Sequence, residues 1–228
     1  MYLIKVKYKP AKLMYKRLII IELIIFLSLT VNALSKLQKF EGSINLKRET
    51  VYDTSFITIQ VKGDQVRLDE YDSKKKLVSI YILNLVNKRM LALSPKNKLF
   101  YELRPSRAIQ TTNEDTIISR TENRMVLEGR NCFQMRVKNI SHDTEVAFWV
   151  TENNFEFFKS MNEVLRRHKP DINIFSNFPD IKGIFPMLMV ERNLLRKEKM
   201  KVLVTGIRES TLSENLFKIP LGYQKIEQ

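Results

Sequence analysis

Apolar and polar residues alternate over much of the chain after residue 38. In the segment FITIQVK, Ile57, Ile59 and Val61 alternate with polar residues, and the turn Lys62–Gln65 follows. Such alternation predicts strands with one buried face, and a glycine-containing turn between two of them predicts a β-hairpin. Further short runs of this kind bring the prediction to roughly nine to eleven strands.

Some segments depart from simple alternation. The run LVSIYILNL is apolar at nearly every position, which predicts a strand covered on both faces. Residues 94–98 predict a second hairpin turn, and the polar residues 105–121 are interpreted as a loop or an edge region. The segments NCFQMRVKN and TEVAFWVTE predict two more strands.

The apolar period changes after Asn154. Phe155, Phe158, Met161 and Leu165 recur at helical spacing, so we expect a helix capped by Asn154 and ending near His168. Many strands with one clear helix favour a mainly β fold, a single antiparallel sheet that is strongly curved or half closed. The helix is about 20 Å long. It is too short to cover a large concave face alone.

The N-terminus is predicted to be a targeting segment. Six Lys and Arg residues precede the fourteen-residue apolar run Leu18–Val31, which small and polar residues follow. This order is typical of a secretory signal peptide, and the run is shorter than the ~20 residues that span a bilayer. We predict cleavage after Ala33 and one domain over residues 34–228, and a translation start at Met14 is a further hypothesis. An uncleaved membrane anchor is the alternative.

The net positive charge of the chain is compatible with anionic lipid partners, but its distribution does not favour nucleic-acid binding. The formal net charge is +14; residues 1–33 carry six positive charges and one negative charge, so the mature chain is +9. No long basic block with interleaved aromatic residues is present, and nucleic-acid binding is therefore not predicted. A basic surface could contact anionic lipid headgroups or an anionic membrane surface.

Candidate catalytic groups are few. Cys132 is the only cysteine, so no disulfide within the chain is expected, and it could be either a reactive thiol or a small core residue. His142 and His168 lie near no nucleophile motif, and Asp69–Asp72 places at most two carboxylates on one strand face. We predict no catalytic or metal site and no cofactor. An enzyme using Cys132 or Asp69–Asp72 stays as a minor hypothesis.

The remaining candidate is an apolar groove on the concave face of the sheet. A curved sheet must fill this face with a helix or a ligand. Ordinary core packing is the alternative for each residue. The predicted lining residues are Ile57, Ile59, Ile80, Ile82, Phe133, Met135, Phe148 and Val150.

The C-terminal segment LFKIPLGY is unusually apolar for a chain end. Phe217 and Ile219 alternate as in a strand, Pro220 suits an edge position, and Tyr223 can pack its ring. We predict that this segment closes the last edge of the sheet.

Several motifs, taken in order, resemble the exported bacterial family called domain of unknown function 4412, which is similar to periplasmic lipoprotein carriers of the LolA/LolB type. The matching segments span about residues 38–226. The positions that carry the resemblance are Gly129, Cys132, Trp149, Val150, Thr151, Gly183, Pro186, Phe217, Pro220, Gly222 and Tyr223.

The resemblance implies a half-open antiparallel β-barrel with helices that plug the concave side. Carriers of that fold hold acyl chains in the concavity. We therefore expect an exported, non-enzymatic envelope protein, periplasmic or extracellular, that binds an acyl chain, a lipid or a lipidated peptide. A structural or interaction module with a fully packed concavity is the alternative.

Overall fold

The computed structural model describes residues 39–105, 116–140, 144–152, 154–168, 175, 178–179, 181–193 and 195–227. Lys39–Gln228 form one compact unit. The predicted signal peptide, residues 1–33, and His142 lie outside the described residues. Within the described ranges no helix is long and apolar enough to cross a membrane.

Twelve strands of the described residues form one sheet. Their bounds are β1 Gly42–Thr50, β2 Thr54–Lys62, β3 Gln65–Tyr71, β4 Leu77–Asn84, β5 Arg89–Ser94, β6 Leu99–Glu102, β7 Thr116–Leu127, β8 Arg130–Asn139, β9 Thr144–Glu152, β10 Ile184–Asn193, β11 Glu198–Glu209 and β12 Gln224–Lys225.

The sheet consists of two meanders. Strands β1 to β6 form one, β7 to β11 form the other, and antiparallel pairing of β1 with β11 joins them. Every pair is antiparallel except β12, which lies parallel to β6. Because β7 and β12 end the strand order without pairing to each other, the sheet is open rather than a closed barrel. The predicted mainly β, half-open fold is confirmed.

Both predicted hairpins form. Gly63 adopts a φ of +56° between β2 and β3, a left-handed conformation that favours glycine. Ser94 ends β5 and Leu99 begins β6. The polar stretch 105–121 is predicted to be a loop or an edge region. From Thr116 onward it belongs to β7, which is the strand at one edge of the sheet.

One helix, α1 (Phe157–His168), follows β9. It begins three residues after Asn154, which has a φ of +50° and therefore does not take the predicted capping conformation. One face of the helix is buried, with its apolar residues at helical spacing. The buried apolar residues of α1 are Phe157, Phe158, Met161, Val164 and Leu165.

A single main core lies on one face of the sheet. It joins buried residues of β1 to β5 with those of β8 to β11 and with α1. Strands as distant in the order as β4 and β9 can share one core only if the sheet curves around the helix. We call the face that carries this core the concave face and the opposite face the convex face.

A second, smaller cluster lies on the convex face. It contains Ile80, Ile82 and Leu93, with Phe100 and Tyr223 packed against it. Because Tyr81 and Leu83 of the same strand belong to the main core, β4 is covered on both faces, as its sequence predicted.

Residues 210–227, which we call the C-terminal strap, cover part of the convex face. Arg67 donates a 2.9 Å hydrogen bond to the Leu216 carbonyl, and Lys62 donates one of 2.7 Å to the Leu212 carbonyl. Arg67 alternates with the core residues Val66 and Leu68, so it lies on the convex face. The strap therefore crosses that face from the end of β11 toward β6.

The strap follows its predicted conformation in part. A short helical turn is predicted over residues 212–217, and Glu214–Phe217 form a 3-10 helix. Phe217 and Ile219 therefore do not alternate in a strand, and Ile219 is 36% exposed. The edge is nevertheless covered, because Gln224–Lys225 pair with β6. Proline and glycine at 220 and 222 break the apolar run before it can form an extended strand.

Candidate functional site

The concave face of β8 and β9 gathers half of the predicted groove residues. The register places Phe133 opposite Val150 and Met135 opposite Phe148. All four side chains are buried in the main core. Directly opposed residues on one face lie close enough to pack, so these four form a continuous apolar patch.

Ile57 and Ile59 of β2 belong to the same core. Between them and residues Met161 and Leu165 of α1 lies an apolar cavity of about 10 Å³. A cavity needs roughly that volume to hold one water molecule. The part of the concave face between β2 and α1 is therefore filled.

Ile80 and Ile82 do not join this site. They point to the convex face and belong to the second cluster, whereas Tyr81 and Leu83 point to the concave face. The prediction that Ile80 and Ile82 line the groove is wrong. Their strand is apolar on both faces, so alternation gave no means of telling one face from the other.

An aromatic plug occupies the concave face. We define it as α1 together with Phe175 and Phe178. The ring centroid of Phe158 lies 5.2 Å from those of Phe175 and Phe178 and 5.0 Å from that of Phe185 on β10. Phe178 contacts the predicted lining residue Phe148 edge-to-face at 5.0 Å. The plug thus covers the surface on which a groove was predicted.

Methionines are concentrated in this core. The thioether side chain is unbranched and adapts to irregular surfaces, and methionine-rich surfaces accommodate varied apolar partners. Every methionine of the described residues is buried in the main core or packs against it: Met90, Met125, Met135, Met161, Met187, Met189 and Met200.

An ion pair links the plug to the sheet. Lys88, in the turn before β5, lies 2.8 Å from Glu163 of α1, which also pairs with Arg167 at 3.0 Å. The hydrogen bond from Lys88 lowers the pKa of Glu163. Both side chains of the Lys88–Glu163 pair are more than a third exposed, so the pair contributes at most about 1 kcal/mol.

Tyr81 is the most perturbed tyrosine of the concave face. Burial, with a further contribution from the nearby Glu70 carboxylate, raises its pKa to about 12. The phenol therefore stays neutral at physiological pH. It offers a hydrogen-bond donor rather than a base.

Arginines border the concave face at its β7 end. The guanidinium carbon of Arg120 lies 3.7 Å from the centroid of the Phe133 ring, and that of Arg124 lies at 5.8 Å. A cavity of about 460 Å³ opens beside them, lined also by Arg130 and Glu152. This arrangement combines cationic groups with an apolar surface.

Sequence reasoning missed these arginines. A bulge in β7 sets Arg120 opposite Met135 and Arg124 opposite Phe133, so residues four apart on β7 face residues two apart on β8. A bulge inserts extra residues into one strand and redirects side chains. The polar sequence around it carried no signal of that register.

Cys132 is a core residue. Its side chain is 1% exposed, and burial raises the pKa of the thiol despite the opposing effect of nearby Arg130. Thiolate formation is thereby disfavoured, and the packing interpretation of Cys132 fits better than the reactive one.

The other candidate chemical groups have structural partners. Asp69 pairs with Arg67 at 2.7 Å, and Asp72 accepts hydrogen bonds from the amides of the β3–β4 turn. His168 is buried, with its Nδ1 atom 3.0 Å from the Val164 carbonyl. In the described part of the chain no three His, Cys, Asp or Glu residues cluster as metal ligands would.

Comparison with known families identifies the chain. The family model "Domain of unknown function (DUF4412)" matches residues 40–223. The chain belongs to this family. The resemblance predicted from the sequence is confirmed, and the match covers both meanders, α1 and most of the strap of this DUF4412 protein.

Similar solved structures were found, and one of them, with a TM-score above 0.5, shares the fold. An uncharacterized conserved protein from Thermus thermophilus matches with a TM-score of 0.51 at 8% identity, over 85% of this chain and 93% of that one. MucB matches at 0.44 and 11% identity, over 84% and 62% of the two chains. A putative outer membrane lipoprotein-sorting protein domain from Vibrio parahaemolyticus matches at 0.33 and 10% identity, over 84% and 95%. No curated protein sequence matches the chain.

Proposed function

We propose that the protein is an exported, non-enzymatic envelope protein that binds one apolar chain on the concave face of its sheet. The ligand is an acyl chain of a lipid or of a lipidated peptide. The observation that carries the proposal is the apolar surface that runs from β2 across β1, β11 and β10 to β9 and β8, which is covered by a plug that is not part of the sheet.

The free energy gained by burying an acyl chain can be compared with the cost of exposing the plug. Burying twelve methylenes yields about 10 kcal/mol before the costs of association. Exposing Phe158, Met161 and Leu165 of the plug would cost roughly 5 to 9 kcal/mol. The cavity of about 10 Å³ beneath α1 has no room for twelve methylenes, so the chain must replace the contacts of the plug rather than fill a space beneath it.

Methionine supports this exchange. Met135, Met161 and Met189 are buried where the plug meets the sheet. Flexible thioethers can repack against a hydrocarbon chain at lower cost than branched side chains. The concave face would then stay packed both with and without ligand.

The proposal is tested by equilibrium binding of dodecanoate, measured by displacement of a fluorescent fatty acid. Lys88→Met removes the ion pair that links α1 to the sheet, so we expect tighter binding, by up to about fivefold. Arg89→Met is the matched control, because the neighbouring Arg89 pairs with Glu102 of β6 at 2.6 Å and not with α1. Absence of dodecanoate binding to the wild-type protein would refute the proposal.

A structural or interaction module is the second candidate. The cavity of only about 10 Å³ beneath α1 favours it, because a permanently packed core needs no ligand. This candidate predicts that dodecanoate neither binds nor raises the melting temperature. Co-purification with another envelope protein would then support it.

Export is tested separately. The basic apolar segment at residues 1–33 supports cleavage after Ala33, and N-terminal sequencing of the mature protein should begin at Leu34. A mature chain that retains Leu18–Val31 would indicate a membrane anchor instead.

A further inference from the structure

We propose that Arg120 and Arg124 bind the anionic headgroup, a carboxylate or a phosphate, of the amphiphile whose chain lies on the concave face. This inference rests on the proposed function. It specifies that the ligand has an anionic headgroup and that this headgroup lies at the β7 end of the sheet.

Phe133 is the point where the polar and apolar surfaces meet. Its side chain is buried in the main core opposite Val150, while Arg120 lies 3.7 Å from its ring centroid. A ligand chain along β8 and β9 would therefore bring its head to the arginines. The cavity beside them, about 460 Å³, accommodates a carboxylate or phosphate group.

Positive charge exceeds negative charge around this cavity. Three guanidinium groups line it against one carboxylate, that of Glu152. Arg120 lies 3.7 Å from Glu152, longer than a hydrogen bond, so that contact is readily exchanged for a ligand oxygen. Arg130 pairs more closely with Glu209, at 2.8 Å.

Arg124 offers donors that are held in place by the backbone. It is exposed, and its Nη1 atom donates to the carbonyls of Thr121 and Asn123 at 3.2 Å. Backbone carbonyls hold the guanidinium in place without neutralising its charge. The planar fork of arginine matches the oxygens of a carboxylate or phosphate in a bidentate arrangement.

A second basic cavity provides the control. Arg136, Lys138, Arg192 and Arg196 line a cavity of about 440 Å³ with Glu145. Arg136 alternates with the core residues Met135 and Val137, so it lies on the convex face, away from the proposed chain. Neutralising two arginines there changes the net charge equally without touching the concave face.

The experiment compares four probes: dodecanol below its solubility limit, dodecanoate and dodecyl phosphate below their critical micelle concentrations, and inorganic phosphate. Binding is measured by titration calorimetry to the wild type, to Arg120→Gln/Arg124→Gln, and to the control Arg136→Gln/Arg192→Gln. We expect the first double variant to lose about tenfold or more in affinity for the two charged amphiphiles and to keep its affinity for dodecanol. The control should bind all three like the wild type.

A variant that preserves the positive charge distinguishes loss of charge from loss of structure. Arg120→Lys/Arg124→Lys should bind dodecanoate within a few-fold of wild type, and circular dichroism melting shows that each variant is folded.

Each contrary result has one meaning. Dodecanol binding that falls as much as dodecanoate binding, or equal loss in the control, would overturn the headgroup site while leaving chain binding intact. Inorganic phosphate that binds as tightly as dodecyl phosphate would show a free anion site instead. Failure of all three amphiphiles to bind the wild type would refute the proposed function itself.

Discussion

The two faces of the sheet are stabilised in different ways. The concave face is filled by rings and thioethers, with five phenylalanines, Phe148, Phe155, Phe158, Phe175 and Phe185, among its largest fully buried side chains. The convex face carries a smaller cluster around Ile80 and Ile82, and the strap that crosses it is held by side-chain bonds to carbonyls.

This difference indicates a division of roles. Apolar burial is the dominant favourable term in folding, so most of the stability should come from the concave face. Hydrogen bonds to the strap contribute about 1 kcal/mol each and mainly fix its position. A surface that supplies stability and also binds a chain must exchange one apolar partner for another, whereas the strap can stay in place.

The largest expected effect comes from the centre of the plug. Phe158→Ala removes a ring in contact with three other rings, and we expect it to lower the free energy of unfolding by about 3 to 5 kcal/mol. Urea denaturation measures this. Leu221→Ala, at a fully exposed position of the strap, is the control and should change stability by less than about 0.5 kcal/mol. A similarly small change for Phe158→Ala would show that α1 is not part of the cooperative core.

Removal of the strap should also have a large effect. Truncation after Glu214 deletes Phe217, Tyr223 and β12, exposing the convex cluster and the edge of β6. We expect a loss of about 2 to 4 kcal/mol, measured by thermal and urea denaturation. Deletion of residues 227–228 alone is the control. A truncated protein that melts like the full chain would contradict the stabilising role of the strap.

The same substitution on both faces sharpens the comparison. Ile59 is fully buried on the concave face and Ile82 is nearly so on the convex face. We expect Ile59→Ala to cost about 4 kcal/mol and Ile82→Ala about 2, because a small cluster relaxes around a cavity more easily than a dense core. Equal losses in parallel urea titrations would indicate that the two faces contribute alike.

The smallest effect concerns the ion pair beneath the strap. Burial raises the pKa of Asp69, while the hydrogen bond from Arg67 opposes the rise. The neutral carboxyl is therefore favoured by folding, and its stabilising contribution is present below the unfolded pKa of about 4 and is lost as pH rises through the folded-state pKa.

Asp69→Asn should remove the loss of stability that the wild-type protein shows as pH rises through the pKa of Asp69. We expect the stability of the variant relative to wild type to increase as pH rises from about 3 to 6, measured by urea denaturation at each pH. Asp64→Asn, at the exposed turn before β3, controls for removal of a carboxylate. A relative stability that falls over this range would show that the Arg67 bond outweighs burial.

Much of the fold could be predicted from local pattern. Strict alternation around Ile57 and Ile59 assigned their face, and the spacing of Phe158, Met161 and Leu165 assigned the buried side of α1. These predictions are confirmed, because one face of each element is buried and the other is exposed to solvent.

The remainder depends on contacts distant in sequence. The face of Ile80 could not be assigned, since its strand is apolar on both sides. The strap adopts its path because Arg67 and Lys62 bind carbonyls about 150 residues away. The β7 bulge, which brings Arg120 over Phe133, is likewise a property of strand pairing that no periodicity reports.

The central claim is that an apolar chain takes the place of the aromatic plug. Amide hydrogen exchange with and without saturating dodecanoate tests it most directly, because it reports the opening of each segment. We predict faster exchange of the α1 amides on binding, with protection retained in β8 and β9. Unchanged exchange of α1 in the presence of bound dodecanoate would contradict it.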